Sequence, residues 1–437
     1  MPLEEYVAAV LAGEASTFQS DEALKAMAIA ARTYAIHFRG RHAAEGYDLC
    51  ATTHCQRVDP AAVTARLSAA AEETAGTLLW FEGKPAMAAY SRDCGGVSET
   101  GTAVWSGLHA PYLRSHPDPT CARAPWQWSG TAAEISAALA RSKLRAPAAL
   151  SHIEVSQRTA SGRAMELTLA GAGERVRISA TSFRFAIGRA FGFNTLRSDL
   201  WELAASGGRW TFAGTGDGHG AGLCQHGADQ MGAQGKRYRE ILAFYYPGTQ
   251  LGITAKGLEW RRMAGETITL MTTRPDRDRA TLALAEGQLR RIAEQTGWNA
   301  PPRIEVRIYP DIATFRNATG EPGWVSARAA GRRIHMQPAA RESAIRHELL
   351  HVFVEAQAAA KLPVWFREGL VEFLDRPAAA GAGSVVDADL QQTGDAGRAH
   401  RAYASAARRV AALVQRYGKA TVLSWLKSGL PADVAPA

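Results

Sequence analysis

Apolar positions in the first part of the chain follow two periods, one typical of helices and one typical of strands. The helical period predicts helices over residues 1–46, 61–76, 133–142, 181–191, 221–235 and 238–246. Alternating polar and apolar positions predict strands over residues 77–81, 85–91, 152–156, 164–169 and 210–213. The Glu82-Gly83 pair between the first two strands is a hairpin turn signal. Elements mixed in this order predict an α+β fold.

The pattern starts afresh after residue 266. Strands are predicted over residues 267–273, 302–308 and 331–336. Helices are predicted over residues 280–296, 341–360, 364–374, 403–417 and 420–427, with a loop of small residues over 377–397. A chain of 437 residues is long enough for two to three domains of roughly 150 residues. We therefore predict an N-terminal α+β domain (1–252), a linker (253–266) and a C-terminal α+β domain (267–437).

The balance of charged residues narrows the choice of partners. The chain has 50 basic and 42 acidic side chains, and the net charge of +8 favours an anionic partner such as nucleic acid, anionic lipid or an anionic cell wall. The sequence contains no RRM-like, zinc-finger or helix-turn-helix signature, which argues against nucleic acid. No run reaches about 18 apolar residues, so no transmembrane helix is predicted.

The clearest chemical motif lies in the C-terminal domain. Residues 347–351 read HELLH, and the spacing of the two histidines puts both imidazoles on one face of a predicted helix. Such a pair can bind Zn²⁺ while the glutamate acts as a base on bound water. The sequence WFREG at 365–369 supplies a glutamate on a second helix as a third ligand. An amphipathic helix with two exposed histidines is the alternative.

These two motifs resemble the gluzincin peptidases, in particular the peptidase-MA-like group, over about 268–430. The resemblance implies zinc ligands His347, His351 and Glu368, with Glu348 as the catalytic base. We expect an edge strand near 332–337 to pair with an extended peptide. Tyr403 is our candidate for stabilising the oxyanion. An inactive, zinc-bound scaffold is the alternative.

A second candidate site begins with one acidic residue near the start of the chain. Glu14 lies just ahead of a helix whose N-terminus is indicated by Ser20 and Asp21. Lys25 and Arg32 lie along that helix, and a carboxyl group beside two fixed cations can donate a proton to a sugar oxygen. On these residues alone, a capped surface helix with solvated charges is the alternative.

Six separated motifs resemble, in order, the SpoIID/LytB family, which acts on bacterial peptidoglycan. The motifs are LEEYVAAVLAGE (3–14), EALKAMAIAARTYA (22–35), YDLCATTHCQ (47–56), AYSRDCGGVSET (89–100), PYL (111–113) and GDGHGAGLCQHGADQMGAQGKRYREILAFYYPGT (216–249). The family includes a lytic transglycosylase of sporulation and an amidase enhancer. The resemblance covers roughly 1–252. It implies peptidoglycan glycan strands as the ligand, a location in the cell envelope, and an amidase as a further partner.

The same resemblance implies roles for individual residues. Glu14 would be the general acid and base of a transglycosylase, in which the sugar's own 6-hydroxyl attacks and a second carboxylate is not needed. The residues that bind the glycan would be Lys25, Arg32, His219, Gly220 and Gln225. For His219, the alternative is a buried histidine that fixes a glycine-rich turn. For the whole domain, the alternative is a non-catalytic amidase enhancer.

All five cysteines lie within the first 224 residues. Cys50 and Cys55, together with His42 and His54, have the chemistry of a structural zinc site, and some relatives hold zinc in this region. Free thiols or a disulfide are the alternative. Two further cysteines, at 94 and 121, could pair in an oxidising envelope. The fifth, at 224, stands where the family commonly has serine, and the histidine at 226 stands where an aromatic residue is common.

The first residues do not resemble an export signal. Residues 1–5, MPLEE, are acidic and run directly into a helical pattern, so no signal peptide is recognised. Because the resembled family acts at the cell wall, we expect a truncated or misassigned start, with a signal or lipoprotein leader encoded upstream.

Overall fold

The computed structural model describes residues 1–340, 342–376, 380, 385–391 and 395–434. The chain divides into two units, Met1–Gly257 and Leu258–Ala437. Both units combine helices with strands, which confirms the predicted mixture of α and β structure. Within the described ranges, no helix has the length and apolar character needed to cross a membrane.

The N-terminal unit places short sheets among helices. Its helices are α1 (Leu3–Glu14), α2 (Asp21–His37), α3 (Ala65–Glu73), α4 (Gly101–Val104), α5 (Ala132–Arg141), α6 (Ala180–Phe191), α7 (Gln225–Ala233) and α8 (Tyr238–Tyr245). Its strands are β1 (Leu78–Phe81), β2 (Lys84–Pro85), β3 (Tyr90–Ser91), β4 (Pro125–Thr131), β5 (His152–Arg158), β6 (Ala164–Gly171), β7 (Glu174–Ser179), β8 (Trp201–Ser206), β9 (Arg209–Thr215), β10 (Leu223–Cys224) and β11 (Gln250–Gly252). The strands pair antiparallel as β11-β1-β2, β4-β9-β8 and β5-β6-β7, and parallel as β10-β3.

Helix α2 runs through the main core of this unit and is buried on most of its surface. Between Ala23 and Ala31, every residue except Lys25 is buried. A helix that is apolar all round belongs in a core, and its alanines let α1, α3, α7 and α8 pack closely against it. The Ser20 hydroxyl accepts the Ala23 N–H at 3.2 Å, which confirms the predicted N-terminus.

A second core of the N-terminal unit lies between the sheets β4-β9-β8 and β5-β6-β7 and the helices α5 and α6. Phe183 and Phe212 are fully buried there, and their rings lie 5.4 Å apart. The sequence pattern missed β4, β7 and β8. In β7, the charged side chains of Glu174, Arg175 and Arg177 interrupt the apolar positions, and only Val176 and Ile178 face the core.

Arg32 ties three helices of the main core together. Its side chain is fully buried, and its Nε donates to a carboxylate oxygen of Glu4 at 3.0 Å. The guanidinium also donates to the carbonyl oxygens of Ala71 at 2.7 Å and Thr77 at 3.3 Å. The prediction that Arg32 binds a glycan is therefore wrong, because solvent does not reach it and its donors are used within the fold.

We expect Arg32→Met to destabilise the N-terminal unit by about 3–5 kcal/mol, because the Glu4 carboxylate would be left buried without its cation. The matched control is Lys25→Met, which removes a partly exposed ion pair and should cost about 0–1 kcal/mol. Hydrogen exchange of α1 and α2 amides in increasing urea measures both changes. Equal, small effects of the two substitutions would contradict a structural role for Arg32.

The C-terminal unit is built on one mixed sheet with helices. Its strands are β12 (Arg261–Ala264), β13 (Ile268–Thr272), β14 (Ile304–Ile308), β15 (Ala327–Ala330) and β16 (Arg333–Met336). Its helices are α9 (Pro275–Thr296), α10 (Ile312–Thr319), α11 (Glu342–Gln357), α12 (Val364–Asp375), α13 (Asp387–Gln391), α14 (Ala396–Tyr417) and α15 (Lys419–Ser428). The sheet order is β12-β13-β14-β16-β15, with a parallel centre and an antiparallel strand at each edge.

Several predicted boundaries change in the C-terminal unit. The predicted linker 253–266 contains β12, which pairs with β13 and so belongs to the sheet. The strand predicted at 331–336 is β16, and it lies inside the sheet between β14 and β15. The prediction of an edge strand near 332–337 is therefore wrong, since the edge on this side of the sheet is β15 and the opposite edge is β12. Of the predicted loop 377–397, residues 377–379, 381–384 and 392–394 lie outside the described residues, and Asp387–Gln391 form a helix.

Candidate functional sites

Glu14 is the last residue of α1, and two segments distant in sequence hold its side chain. Its Oε1 accepts the backbone N–H of Arg57 at 3.0 Å, and the side chain of Gln225 also hydrogen-bonds the carboxylate. Gly13 permits this approach, because a Cβ there would lie 2.5 Å from the carbonyl oxygen of Arg57. The structure thus brings together the predicted residues Glu14 and Gln225. It adds Arg57, for which the sequence carried no signal.

The surroundings of Glu14 favour its protonated form. Burial is the main cause and raises the pKa of the carboxyl group, while the hydrogen bonds from Arg57 and Gln225 and the charge of Arg57 lower it. Its position at the C-terminal end of α1 also disfavours a negative charge. A carboxyl group that keeps its proton to a higher pH is suited to proton donation.

A hydrogen-bonded chain of neutral side chains lies beside Glu14. The Tyr6 hydroxyl donates to Gln56 Oε1 at 3.0 Å, and Gln56 Nε2 donates to the Tyr90 hydroxyl at 3.1 Å. Burial, followed by the nearby Glu14 carboxylate, raises the pKa of Tyr90, and burial raises that of Tyr6. Both phenols therefore stay neutral; the proton of Tyr6 is used on Gln56, whereas the Tyr90 hydroxyl accepts from Gln56 and its own proton is not used in this hydrogen-bonded chain.

The predicted cation Lys25 is already paired. Its Nζ lies 3.2 Å from Glu22 and 2.8 Å from Glu73, and the side chain is only 21% exposed. These contacts join α2 to α3. A role for Lys25 in binding a glycan stays a prediction.

His219 and Gly220 hold a glycine-rich turn against neighbouring segments. The Nδ1 atom of His219 accepts the N–H of Ala221 at 3.0 Å, and its ring packs on Trp105. Burial, with the charges of Arg184 and Arg163, lowers the pKa of His219 to about 4, so the imidazole is neutral at pH 7. A Cβ on Gly220 would lie 2.1 Å from the Arg163 guanidinium. These contacts favour the alternative reading of His219, in which it fixes the turn.

The predicted zinc residues of the N-terminal unit meet in space. One ligand atom each from His42, Cys50, His54 and Cys55 lies within 4.8 Å of the others. The Nε2 of His42 is 3.3 Å from the Cys55 sulfur, and its Nδ1 is 2.6 Å from Glu45. A carboxylate on the second ring nitrogen is the usual way to orient a metal-binding histidine. Two thiols and two imidazoles fit a tetrahedral zinc site.

The HELLH helix and α12 bring the second set of predicted ligands together. Nε2 of His351 lies 3.2 Å from Nε2 of His347 and 3.4 Å from an oxygen of Glu368. Burial lowers the pKa of both histidines, that of His351 to about 4. Neutral imidazoles are the form that binds a metal. The residues present therefore fit a three-ligand zinc site with an open fourth position.

Further residues around this triad were not predicted. His347 Nδ1 lies 3.9 Å from Glu372 and 4.0 Å from the buried carboxylate of Asp375, which Arg346 holds at 3.2 Å. Those carboxylates can orient the His347 ring from behind. No sequence signal marked these two carboxylates, because acidic residues on a helix are usually solvated.

Glu348 lies in the same cleft but contacts the edge strand. Its carboxylate accepts the backbone N–H of Ala329 in β15. Burial raises the pKa of Glu348 to about 8. The cleft has a volume of about 780 Å³, and its lining includes the three predicted ligands, Glu348 and Tyr403. Burial, followed by the charge of Glu368, raises the pKa of Tyr403 to about 12, so the predicted oxyanion donor carries its proton.

Comparison with known proteins bears on the N-terminal unit. The model of the family "Stage II sporulation protein" (SpoIID) matches residues 1–81, and that of a domain of unknown function (DUF8618) matches residues 120–222. Stage II sporulation protein D of Bacillus amyloliquefaciens is 28% identical over 268 residues, which is 57% of this chain and 74% of that protein. The matches support the SpoIID family for the N-terminal half.

Two further relatives agree with this assignment. An uncharacterised protein of Brachyspira hyodysenteriae is 30% identical over 253 residues, 57% of this chain and 66% of that protein. The amidase enhancer of Bacillus subtilis is 26% identical over 285 residues, 55% of this chain and 39% of that protein. The SpoIID resemblance inferred from the six motifs is therefore supported, and the gluzincin resemblance of the C-terminal unit stays a prediction.

The raised pKa of Glu14 makes a prediction about stability. The folded state binds this proton more tightly than the unfolded state, so stability falls as pH rises from the usual glutamate range through the raised pKa. We expect Glu14→Gln to stabilise the N-terminal unit at pH 8, with the gain vanishing near pH 3. Urea unfolding at both pH values measures this change. Glu5→Gln, on the exposed side of the same helix, is the control, and a gain for Glu14→Gln that does not depend on pH would contradict the assignment.

Proposed function

We propose that the N-terminal unit binds bacterial peptidoglycan and cleaves its glycan strands as a lytic transglycosylase, with Glu14 as general acid and base. The observation that carries the proposal is the partly buried Glu14, with a raised pKa, fixed by Arg57 and Gln225. Relatives named stage II sporulation protein D and amidase enhancer support a role in the cell wall. We accordingly propose the cell envelope as the place of action.

One carboxyl group is enough for this reaction. Glu14 donates its proton to the glycosidic oxygen as the bond from that oxygen to the anomeric carbon breaks. The 6-hydroxyl oxygen of the same sugar then bonds to the anomeric carbon and returns its proton to Glu14. The products are a free 4-hydroxyl and a 1,6-anhydro end, no water is consumed, and Glu14 finishes protonated.

The partners of Glu14 suit both stages of this cycle. Burial raises the pKa of the carboxyl group and so favours its protonated form before the reaction. Once the proton is donated, the Arg57 N–H, the Gln225 amide and the charge of Arg57 stabilise the carboxylate. The net charge of +8 favours the approach to a polymer that carries carboxylates.

We expect Glu14→Gln to lower the release of 1,6-anhydromuropeptides from purified sacculi by about 10²–10⁴-fold, the usual contribution of a general acid. Binding to sacculi should survive, because the amide keeps the size and the hydrogen bond to Arg57. Glu5→Gln is the matched control and should release products at the wild-type rate. Products are measured by mass spectrometry.

Equal release by both variants would remove the transglycosylase proposal. No release by the wild type, together with stimulation of an added cell-wall amidase, would favour the second candidate, a non-catalytic enhancer. The similarity of this chain to the amidase enhancer of Bacillus subtilis is the observation that favours this second candidate.

We further propose that the C-terminal unit is a zinc peptidase-like domain whose ligands are His347, His351 and Glu368. A zinc ion bound there would polarise a peptide carbonyl and lower the pKa of water. Glu348 would take the proton of that water and pass it to the leaving amine, a task that its raised pKa suits. Tyr403, which keeps its proton, can donate a hydrogen bond across the cleft.

Strand β15 is suited to hold an extended peptide. The Ala329 N–H points away from β16 and into the cleft, where it donates to Glu348. A peptide that paired with this edge would accept the same N–H. Substrate binding would then release Glu348 from Ala329 and free the carboxylate to act as a base.

We expect His347→Ala to lose one equivalent of zinc from the purified full chain, as measured by elemental mass spectrometry. The matched control is His400→Ala, which removes an exposed histidine of the same cleft outside the triad and should leave the zinc content unchanged. Glu348→Gln should keep the zinc and lose about 10²-fold or more of any peptidase activity. Equal zinc in the His347→Ala variant and the wild type would refute the metal site.

A further inference from the structure

Three cysteines from separate segments meet inside the N-terminal unit. Cys94 follows β3, Cys121 precedes β4, and Cys224 ends β10 just before α7. Their sulfur atoms all lie within 4.8 Å of one another, and none of the three residues is more than 6% exposed. All are free thiols, so the expected pairing of Cys94 with Cys121 is not present. The proposed roles of Glu14 and of the C-terminal unit do not use this cluster.

Two carboxylates are buried against the thiols. Asp93 is 1% exposed, and its Oδ1 lies 2.9 Å from the Cys121 sulfur. Asp118 is fully buried, and its Oδ2 lies 3.4 Å from the Cys94 sulfur. Carboxylates are acceptors, and burying them is costly unless positive charge or donors compensate.

Neighbouring donors satisfy both carboxylates, and they include the backbone N–H of Gly95 on Asp93 at 2.6 Å and that of Thr120 on Asp118 at 3.1 Å. His226 Nδ1 lies 3.0 Å from Asp93, and the Tyr245 hydroxyl donates to Asp118 at 2.8 Å. The Thr120 hydroxyl donates to the other oxygen of Asp118 at 2.7 Å. Arg163, the buried cation nearby, donates to the carbonyl oxygen of Cys94 at 2.5 Å.

Two backbone N–H groups point at the sulfur of Cys224. Its sulfur accepts the N–H of Cys94 at 3.3 Å and that of Gly227 at 3.4 Å. The second of these bonds caps the N-terminus of α7, where the helix dipole stabilises negative charge. Thiolates, rather than thiols, are the form of cysteine that binds metals.

We propose that Cys94, Cys121 and Cys224 bind one zinc ion in a closed, structural site. Zn–S bonds of about 2.3 Å put tetrahedral thiolates about 3.8 Å apart, and the observed separations of up to 4.8 Å need only a small contraction. The nearest fourth donor is Asp93, whose Oδ1 lies 2.9 Å from the Cys121 sulfur; it would have to move toward the other two sulfur atoms to complete the site. A disulfide would use two of the thiols and leave the third without a partner sulfur.

This site would support the candidate acid from a distance. Cys224 is followed directly by Gln225, whose side chain reaches Glu14. Cys94 follows β3, which pairs with β10, and Cys121 lies in a third segment. A metal that joins these segments would fix the start of α7 and hence the position of Gln225.

The test uses the double variant Cys50→Ser/Cys55→Ser. This variant removes two of the five cysteines and leaves only Cys94, Cys121 and Cys224. Because the site of His347, His351 and Glu368 contains no thiolate, it cannot contribute to the signal. The full chain is loaded with Co²⁺ as a spectroscopic substitute for zinc. We expect one equivalent of cobalt to show the charge-transfer absorption of three thiolate ligands. Adding Cys224→Ser to the double variant should abolish this absorption. His347→Ala in the same background should lower total cobalt without changing that absorption.

Two outcomes would overturn the proposal. One is a folded double variant, checked by circular dichroism, that shows no thiolate-to-cobalt absorption. The other is a denatured double variant with fewer than three titratable thiols after metal removal, which would indicate a disulfide within the cluster. If the double variant does not fold, the thiolate-to-cobalt absorption of the wild type is measured instead. An intensity that corresponds to five thiolate ligands supports the site, and one that corresponds to two contradicts it.

Discussion

The proposed chemistry of the N-terminal unit depends on one close approach, that of the loop at Arg57 to the end of α1. Gly13 makes the approach possible, because any side chain there would strike the Arg57 carbonyl group. The Arg57 N–H then fixes the Glu14 carboxyl from one side, and Gln225 fixes it from the other. A carboxyl group held in this way at a helix C-terminus has a raised pKa and a fixed orientation, and both favour proton donation.

The rest of the unit holds the end of α1, the loop at Arg57 and the segment of Gln225 in position. The buried pair of Arg32 and Glu4 locks α1 to α2, and the glycine-rich turn with its neutral His219 leads the chain into β10 and α7. Arg32, which was predicted to bind a glycan, thus stabilises the fold, and so does His219. In the C-terminal unit, the core and the candidate site lie on different faces of the same two helices. The buried faces of α11 and α12 form the core, and their polar faces bring His347, His351 and Glu368 together.

Sequence reasoning succeeded where one element carries both the pattern and the chemistry. The HELLH spacing lies on a single helix, and the four residues of the Cys50 cluster lie within one short loop region, so local geometry fixes their proximity. It failed where the contacts of a residue come from segments that are distant in sequence. Arg57 contributes a backbone N–H, and any residue type except proline could supply that donor. Arg32 is buried by three helices that come together only in the tertiary fold. The strand order that makes β15 the edge is likewise a property of the whole sheet.

The claim that one carboxyl group carries out a transglycosylation is tested most directly by digesting purified peptidoglycan with the full chain in water labelled with oxygen-18. The account predicts new 1,6-anhydro ends that contain no label, since the attacking oxygen is the sugar's own. Labelled reducing ends would mean that water attacks and that a second carboxylate is at work. Either that result or the absence of new ends would contradict the account.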